Sequence, residues 1–108
     1  MVQKSDDQSL KELLKTDSKI VVKFYANWCG VCRLFAPKFQ KISNKNSNAN
    51  LMFLEINAEE NPWSRNLVNI SNLPFIATIF KEKVIETSST SKIEYVEQMV
   101  DRLKQAPQ

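Results

Sequence analysis

Hydrophobic and polar positions follow two different periods along this chain. Behind the polar cluster Ser5-Asp6-Asp7, which can cap a helix, Leu10, Leu13 and Leu14 recur at helical spacing. Ile20-Val21-Val22-Lys23-Phe24-Tyr25-Ala26 is instead almost continuously apolar and β-branched, the pattern of a strand covered on both faces. Only Lys23 interrupts it. From near Cys29 the helical period returns in Val31, Leu34, Phe35, Phe39 and Ile42, and Pro37 within that run is expected to kink the helix. A polar stretch over residues 43–50 leads to a second buried strand, Leu51–Asn57. Asn61-Pro62 reads as an N-cap followed by proline at the first helical position, with Trp63, Leu67 and Ile70 on one face. Pro74 opens a strand, Phe75–Phe80, that turns through Lys81-Glu82-Lys83 into Val84-Ile85. Ile93, Val96, Val100 and Leu103 mark the apolar side of a last helix.

The order is therefore α-β-α-β-α-β-β-α. Helical crossovers make the first strands parallel, and the terminal hairpin is antiparallel. The expected fold is α/β, a mixed sheet of four to five strands with helices on both faces. At 108 residues the length fits a single domain, 1–108.

Composition removes several classes of chemistry. The chain has no histidine, so Ser-His, Cys-His and His-metal sites are out. Two cysteines without histidine are too few for a zinc site, and no bound metal or cofactor is expected. The net charge of +3 comes from lysines and glutamates interspersed rather than blocked. Nucleic-acid binding needs a basic stripe or an aromatic platform, and neither is visible. No apolar run approaches the ~20 residues of a membrane span. The N-terminus, Met1-Val2-Gln3-Lys4-Ser5, has no apolar leader core. A cytoplasmic, reducing setting is expected, in which a C-x-x-C is more often catalytic than structural.

That C-x-x-C is the centre of the chemistry. Trp28-Cys29-Gly30-Val31-Cys32 contains both cysteines and falls where a buried strand hands over to a helix. The first sulfur then meets the free N–H groups and positive end of the helix, which favour its thiolate. A thiolate is the species that attacks disulfides. As a structural staple the same pair would close too small a loop to stabilise much.

Over essentially its whole length the chain resembles the thioredoxin family. The resemblance rests on Val21-Val22-Lys23-Phe24-Tyr25-Ala26 running into Asn27-Trp28-Cys29-Gly30-Val31-Cys32-Arg33, on Pro37 five residues later, on Asn61-Pro62 and on Leu73-Pro74 before a strand. It implies a thioredoxin fold and a thiol–disulfide oxidoreductase that reduces protein disulfides as a monomer. Cys29 is then the exposed attacking thiol and Cys32 the buried resolving one. Electrons would return from a thioredoxin reductase-like flavoenzyme. The resemblance makes Pro74 a cis-proline, turning the Leu73 backbone toward Cys29 so that an extended substrate pairs with it; the alternative is a trans proline that simply starts a strand. Trp28, Gly30 and Val31 complete the substrate side of the site. Trp28 is a partly exposed lip in this account and a core ring in the other.

The chain departs from the family at several points. The family's buried acid, six residues before the first cysteine, is Lys23 here, and its usual lysine partner is Glu55. The pair is charge-swapped. Strand parity allows the contact, since Lys23 shares a face with Val21 and Tyr25, and Glu55 with Phe53 and Asn57. Glu55 would accept the Cys32 proton while Lys23 compensates its charge and favours the thiolates. Otherwise Lys23 snorkels to solvent and Glu55 lies on the surface. Val31 stands where reducing thioredoxins commonly have proline. Gly30 is the only glycine, so the hairpin turn at 81–83 and the loop near Thr87, Ser88 and Ser89 lack their usual glycines. The family's strand before the first helix is short or absent. Two other functions remain open from sequence: a disulfide oxidase or isomerase of exported proteins, and a binding or chaperone module with incidental thiols.

Overall fold

The structure, a computed structural model, describes residues 1–107. Its elements run β1 (Val2–Ser5), α1 (Asp7–Leu14), β2 (Lys19–Tyr25), α2 (Gly30–Ser43), a 3-10 turn (Asn46–Asn48), β3 (Leu51–Asn57), α3 (Pro62–Val68), β4 (Phe75–Phe80), β5 (Lys83–Ser89) and α4 (Ile93–Gln105). The five strands form one sheet in the order β1-β3-β2-β4-β5. β1, β3 and β2 are parallel, whereas β4 runs antiparallel to β2 and to β5. β2, the most apolar segment, is central and buried along nearly its full length, as its unbroken hydrophobic run requires.

Each sheet face carries its own core. Val21, Phe53, Ile76 and Phe80 meet Phe35, Phe39 and Ile42 of α2 and Val96, Met99, Val100 and Leu103 of α4. On the other face Ile20, Val22, Phe24, Leu54, Ile56, Phe75, Ala77 and Ile79 pack with Leu10 of α1 and Val68 of α3. The period-2 alternation of the strands thus decides which helix pair each residue meets.

Several details correct the sequence reading. The strand before the first helix is short and not absent: β1 has four residues, and its Gln3 and Lys4 are exposed on an edge, so no apolar pattern announces it. β5 extends through Ser89, so Thr87, Ser88 and Ser89 are strand and not loop. Within α2, Val31 and Leu34 do not join Phe35, Phe39 and Ile42 in the core but face solvent, 50% and 77% exposed. Pro37 lies inside α2, where the sequence placed it. Asn61 occupies the N-cap position of α3 but makes no side-chain cap bond. Asp7 caps α3 instead: its carboxylate accepts from the N–H groups of Trp63 (3.2 Å) and Ser64 (2.8 Å) and from the Ser64 hydroxyl (2.6 Å). Burial raises the Asp7 pKa, but these bonds and nearby Lys11 outweigh it and the net displacement is downward.

The β4–β5 turn has two residues, Lys81 and Glu82, both left-handed at φ 52° and 65°. This is the hairpin geometry that normally selects Asn-Gly. At the opposite end, buried Lys19 donates to the carbonyls of Lys104 (2.9 Å) and Ala106 (2.8 Å), closing the C-terminus of α4.

Candidate active site

The strand-to-helix handover places both sulfurs. β2 ends at Tyr25; the Cys29 N–H returns to the Ala26 carbonyl at 3.1 Å, and α2 begins at Gly30 with Cys29 as N-cap in extended conformation. Cys29 and Cys32 are joined as a disulfide. The Cys32 N–H, one of the unpaired donors of the first helical turn, points at Cys29 Sγ at 3.2 Å. That donor and the helix end are the groups that favour a thiolate at Cys29 once the bond is reduced.

Burial separates the two sulfurs less than expected. Cys29 is 6% exposed and Cys32 3%, so Cys29 is not an open thiol in the disulfide-bonded state. The cause is packing: Ala26 and both cysteines cluster beneath Tyr25 and Leu73. The Leu73–Pro74 peptide bond is cis, with Pro74 buried and Leu73 half-buried.

Around the disulfide lies an apolar rim. Trp28 is 68% exposed, a lip and not a core ring, and its indole N–H donates to Glu59 Oε2 at 2.9 Å. Trp63 is the packed tryptophan, set against the α1–α3 core. Gly30 has no positive φ, and the nearest atom to a Cβ there would be the Arg33 guanidinium at 3.7 Å. The backbone does not demand glycine at that position.

Lys23 and Glu55 sit opposite each other in the β2–β3 register and form an ion pair, Nζ to Oε2 3.4 Å. Their side chains differ in depth, 4% exposed for Lys23 and 32% for Glu55. Lys23 does not snorkel. Its ammonium lies 5.5 Å from the Phe39 ring centre and 5.8 Å from that of Tyr25, so ring faces supplement the carboxylate. Both members of the pair line a cleft of about 230 Å³ together with Cys32, Tyr25, Ala26 and Arg33. Burial pushes the Tyr25 phenol up, and the carboxylates of Glu55 and Glu60 push it further. The cleft thus brings Cys32 together with one buried cation, one half-buried carboxylate and the Tyr25 phenol.

Three neighbouring contacts carried no recognisable signal in sequence. Glu59 positions Trp28, the Arg33 guanidinium returns to the Asn27 carbonyl at 2.7 Å, and Ser89 binds the loop before Leu73. Each is an ordinary polar residue whose partner lies in a turn or on another element. Among the described residues no cluster of potential metal ligands is formed, and no helix is long and apolar enough to cross a membrane.

With this geometry in place, comparison with known proteins is specific. The thioredoxin family model matches residues 1–105. Thioredoxin-T of Drosophila melanogaster is 31% identical over 85 residues, covering 79% of this chain and 54% of the fly protein. The chain thus spans about half the length of that curated relative. Thioredoxin of Buchnera aphidicola is 28% identical over 99 residues, 90% of this chain and 91% of the relative. Among solved structures, a chain of a complex between ferredoxin:thioredoxin reductase and thioredoxin f2 superposes with a TM-score of 0.85, at 22% identity and covering 95% of this chain and 94% of that one. The fold is the thioredoxin fold, and the chain belongs to the thioredoxin family.

Proposed function

We propose that this protein is a thiol–disulfide oxidoreductase that reduces protein disulfides through Cys29 and Cys32. The observation that carries this reading is the pair of sulfurs at the start of α2, with a backbone N–H aimed at Cys29 and Tyr25 and Leu73 packed against their cluster. In the reduced protein the Cys29 thiolate attacks one sulfur of a substrate disulfide and expels the other as a thiolate. Cys32 then gives up its proton and attacks Cys29 Sγ. This closes the Cys29–Cys32 disulfide and releases the substrate with two thiols, two electrons having left the protein. A reductase must return them, and the reductase complex that contains a similar fold supports such a partner. A flavoenzyme is the proposed donor. No bound cofactor is needed for the exchange itself, and the proposed setting is a cytoplasmic monomer that acts on proteins rather than on nucleic acid or membranes.

Site roles follow from position. Trp28, Val31 and Leu73 present apolar surface to a substrate, Gly30 leaves it room, and Pro74 holds Leu73 in place. Glu55, reaching the Cys32 cleft from β3, accepts the Cys32 proton directly or through water. Lys23 compensates its charge and favours the thiolates. Replacing Glu55 by Gln is then expected to slow release of the mixed disulfide in single-turnover experiments, and unchanged release removes Glu55 from the mechanism.

The decisive test of the function is the reduction potential of the pair, by equilibration in glutathione buffers with thiol trapping. A value near roughly −270 mV marks a reductant, whereas about −180 to −120 mV overturns that direction in favour of an isomerase or oxidant. In parallel, Cys29→Ser is expected to abolish insulin reduction, and Cys32→Ser to accumulate the mixed disulfide.

A further inference from the structure

Leu73 packs, with Tyr25, against the cluster of Ala26, Cys29 and Cys32, yet it belongs to no strand or helix. What fixes it comes from across the sheet edge. Ser89 is the last residue of β5 and pairs with Phe75 of β4. Its hydroxyl donates to the Asn72 carbonyl at 2.8 Å and accepts from the Asn72 N–H at 3.1 Å. The Ser71 hydroxyl lies 3.3 Å away on the same oxygen. One side chain thus holds both polar backbone atoms of the residue preceding Leu73. These bonds stop at Asn72, one residue before the side chain that packs on the cysteine cluster.

We propose that Ser89 is a positioning residue for substrate: by gripping the Asn72 backbone it holds the edge at Leu73 on which an extended, disulfide-bearing chain docks. The inference rests on the oxidoreductase reading and adds what the loop does in it. A free loop must be ordered at the moment of binding, and that entropy is charged against affinity. A loop held beforehand by two hydrogen bonds avoids the loss. The effect belongs to substrates long enough to lie along the edge, because a small disulfide touches the sulfurs without it. Ser89 is exposed and fills no core space, so its removal alters the latch and little else.

The experiment mixes the fully reduced protein with excess disulfide and follows Trp28 fluorescence in stopped flow. Two probes are used, insulin and hydroxyethyl disulfide. For Ser89→Ala the half-saturating insulin concentration is expected to rise about fivefold, the scale of one to two ordinary hydrogen bonds. The limiting rate and the reaction with hydroxyethyl disulfide stay within about twofold of wild type, since the sulfurs are untouched. Ser89→Thr, which keeps the hydroxyl, restores insulin affinity. Amide exchange at Asn72 accelerates in Ser89→Ala, reporting the released loop independently of any substrate. Unchanged insulin saturation overturns the inference, as does equal slowing with both probes. A reduced wild-type protein that reacts with neither disulfide overturns the oxidoreductase reading itself, which is a different failure.

Discussion

Removing the two halves of the Lys23–Glu55 pair is expected to have unequal consequences. At 3.4 Å two unit charges attract by about 5 kcal/mol in an effective dielectric of ~20. Opposing this is the loss of hydration, several kcal/mol for a buried ion. It falls mostly on Lys23, which is 4% exposed, while Glu55 at 32% keeps part of its water. Glu55→Gln leaves a buried ammonium facing only ring faces and a neutral amide. Breaking a fully buried pair costs about 3–5 kcal/mol, and the half-wet position of Glu55 reduces that to about 2 kcal/mol here. Lys23→Met removes the dehydrated charge, fills similar space, and leaves a carboxylate that water already reaches. Its expected cost is below about 1 kcal/mol. For a domain of this size the difference corresponds to roughly 5 °C or more in Tm. Thermal and urea unfolding of the reduced proteins at pH 7, completed by the double variant, measure it. A Lys23→Met loss as large as that of Glu55→Gln would refute the argument, because the burden would then not follow burial.

Other outcomes follow from single contacts. Asp7, whose pKa is lower in the folded state, stabilises the protein fully above the unfolded value of 3.8 and progressively less as pH falls through the folded one. Asp7→Asn is expected to lose about 1 kcal/mol at pH 7 and progressively less as the pH is lowered below 3.8, read by urea unfolding at both ends of that range. An equal loss at both pH values contradicts this. Replacing Lys81-Glu82 by Asn-Gly relieves two left-handed non-glycine residues, with an expected gain of about 1–2 kcal/mol in the same assay. Gly30→Ala, at an open helical position without positive φ, is expected to hold stability or raise it by up to about 1 kcal/mol. A clear loss of stability there means that the turn before α2 needs glycine after all.

Legibility in the sequence followed the strength of each physical signal. β2 and β3 were readable because central strands are apolar throughout, and α2 because Phe35, Phe39 and Ile42 share one helical face. The C-x-x-C was readable because its chemistry needs that spacing at a helix start. β1 and most of β5 were not, since an edge strand buries little and its residues are largely polar. Val31 and Leu34 fit the helical period yet face outward, because their side of α2 meets solvent and not the sheet. Asn61 looked like a cap, but a carboxylate from another helix took that place. Ser89 left no trace because its partners are backbone atoms seventeen positions away.

The exchanged charges of Lys23 and Glu55 make the distinction between fold and chemistry concrete. Register places the two side chains opposite each other whichever carries the amine, and pairing alone satisfies the packing of β2 against β3. The depths are not equivalent, however, since β2 is central and roofed by α2 while position 55 opens to the cleft. The resemblance to thioredoxins sets an acid at the deep position; here the deep group is a cation and the acid has moved to the rim. A carboxylate reached by water gives up a captured proton to solvent more readily than one sealed below the sulfurs. A cation at the deep site favours the negative charge that forms on sulfur during exchange. Transposition thus preserves the pair for the fold, and in the proposed mechanism the acid's tasks fall to two residues, charge stabilisation to Lys23 and proton removal to Glu55. Placing the acid back on β2, by the double exchange Lys23→Glu and Glu55→Lys, is expected to retain the fold. Its signature is a changed pH profile for resolution of the mixed disulfide, with the first attack by Cys29 less affected. An unchanged profile means that neither residue exchanges protons with Cys32, and that the pair serves packing alone.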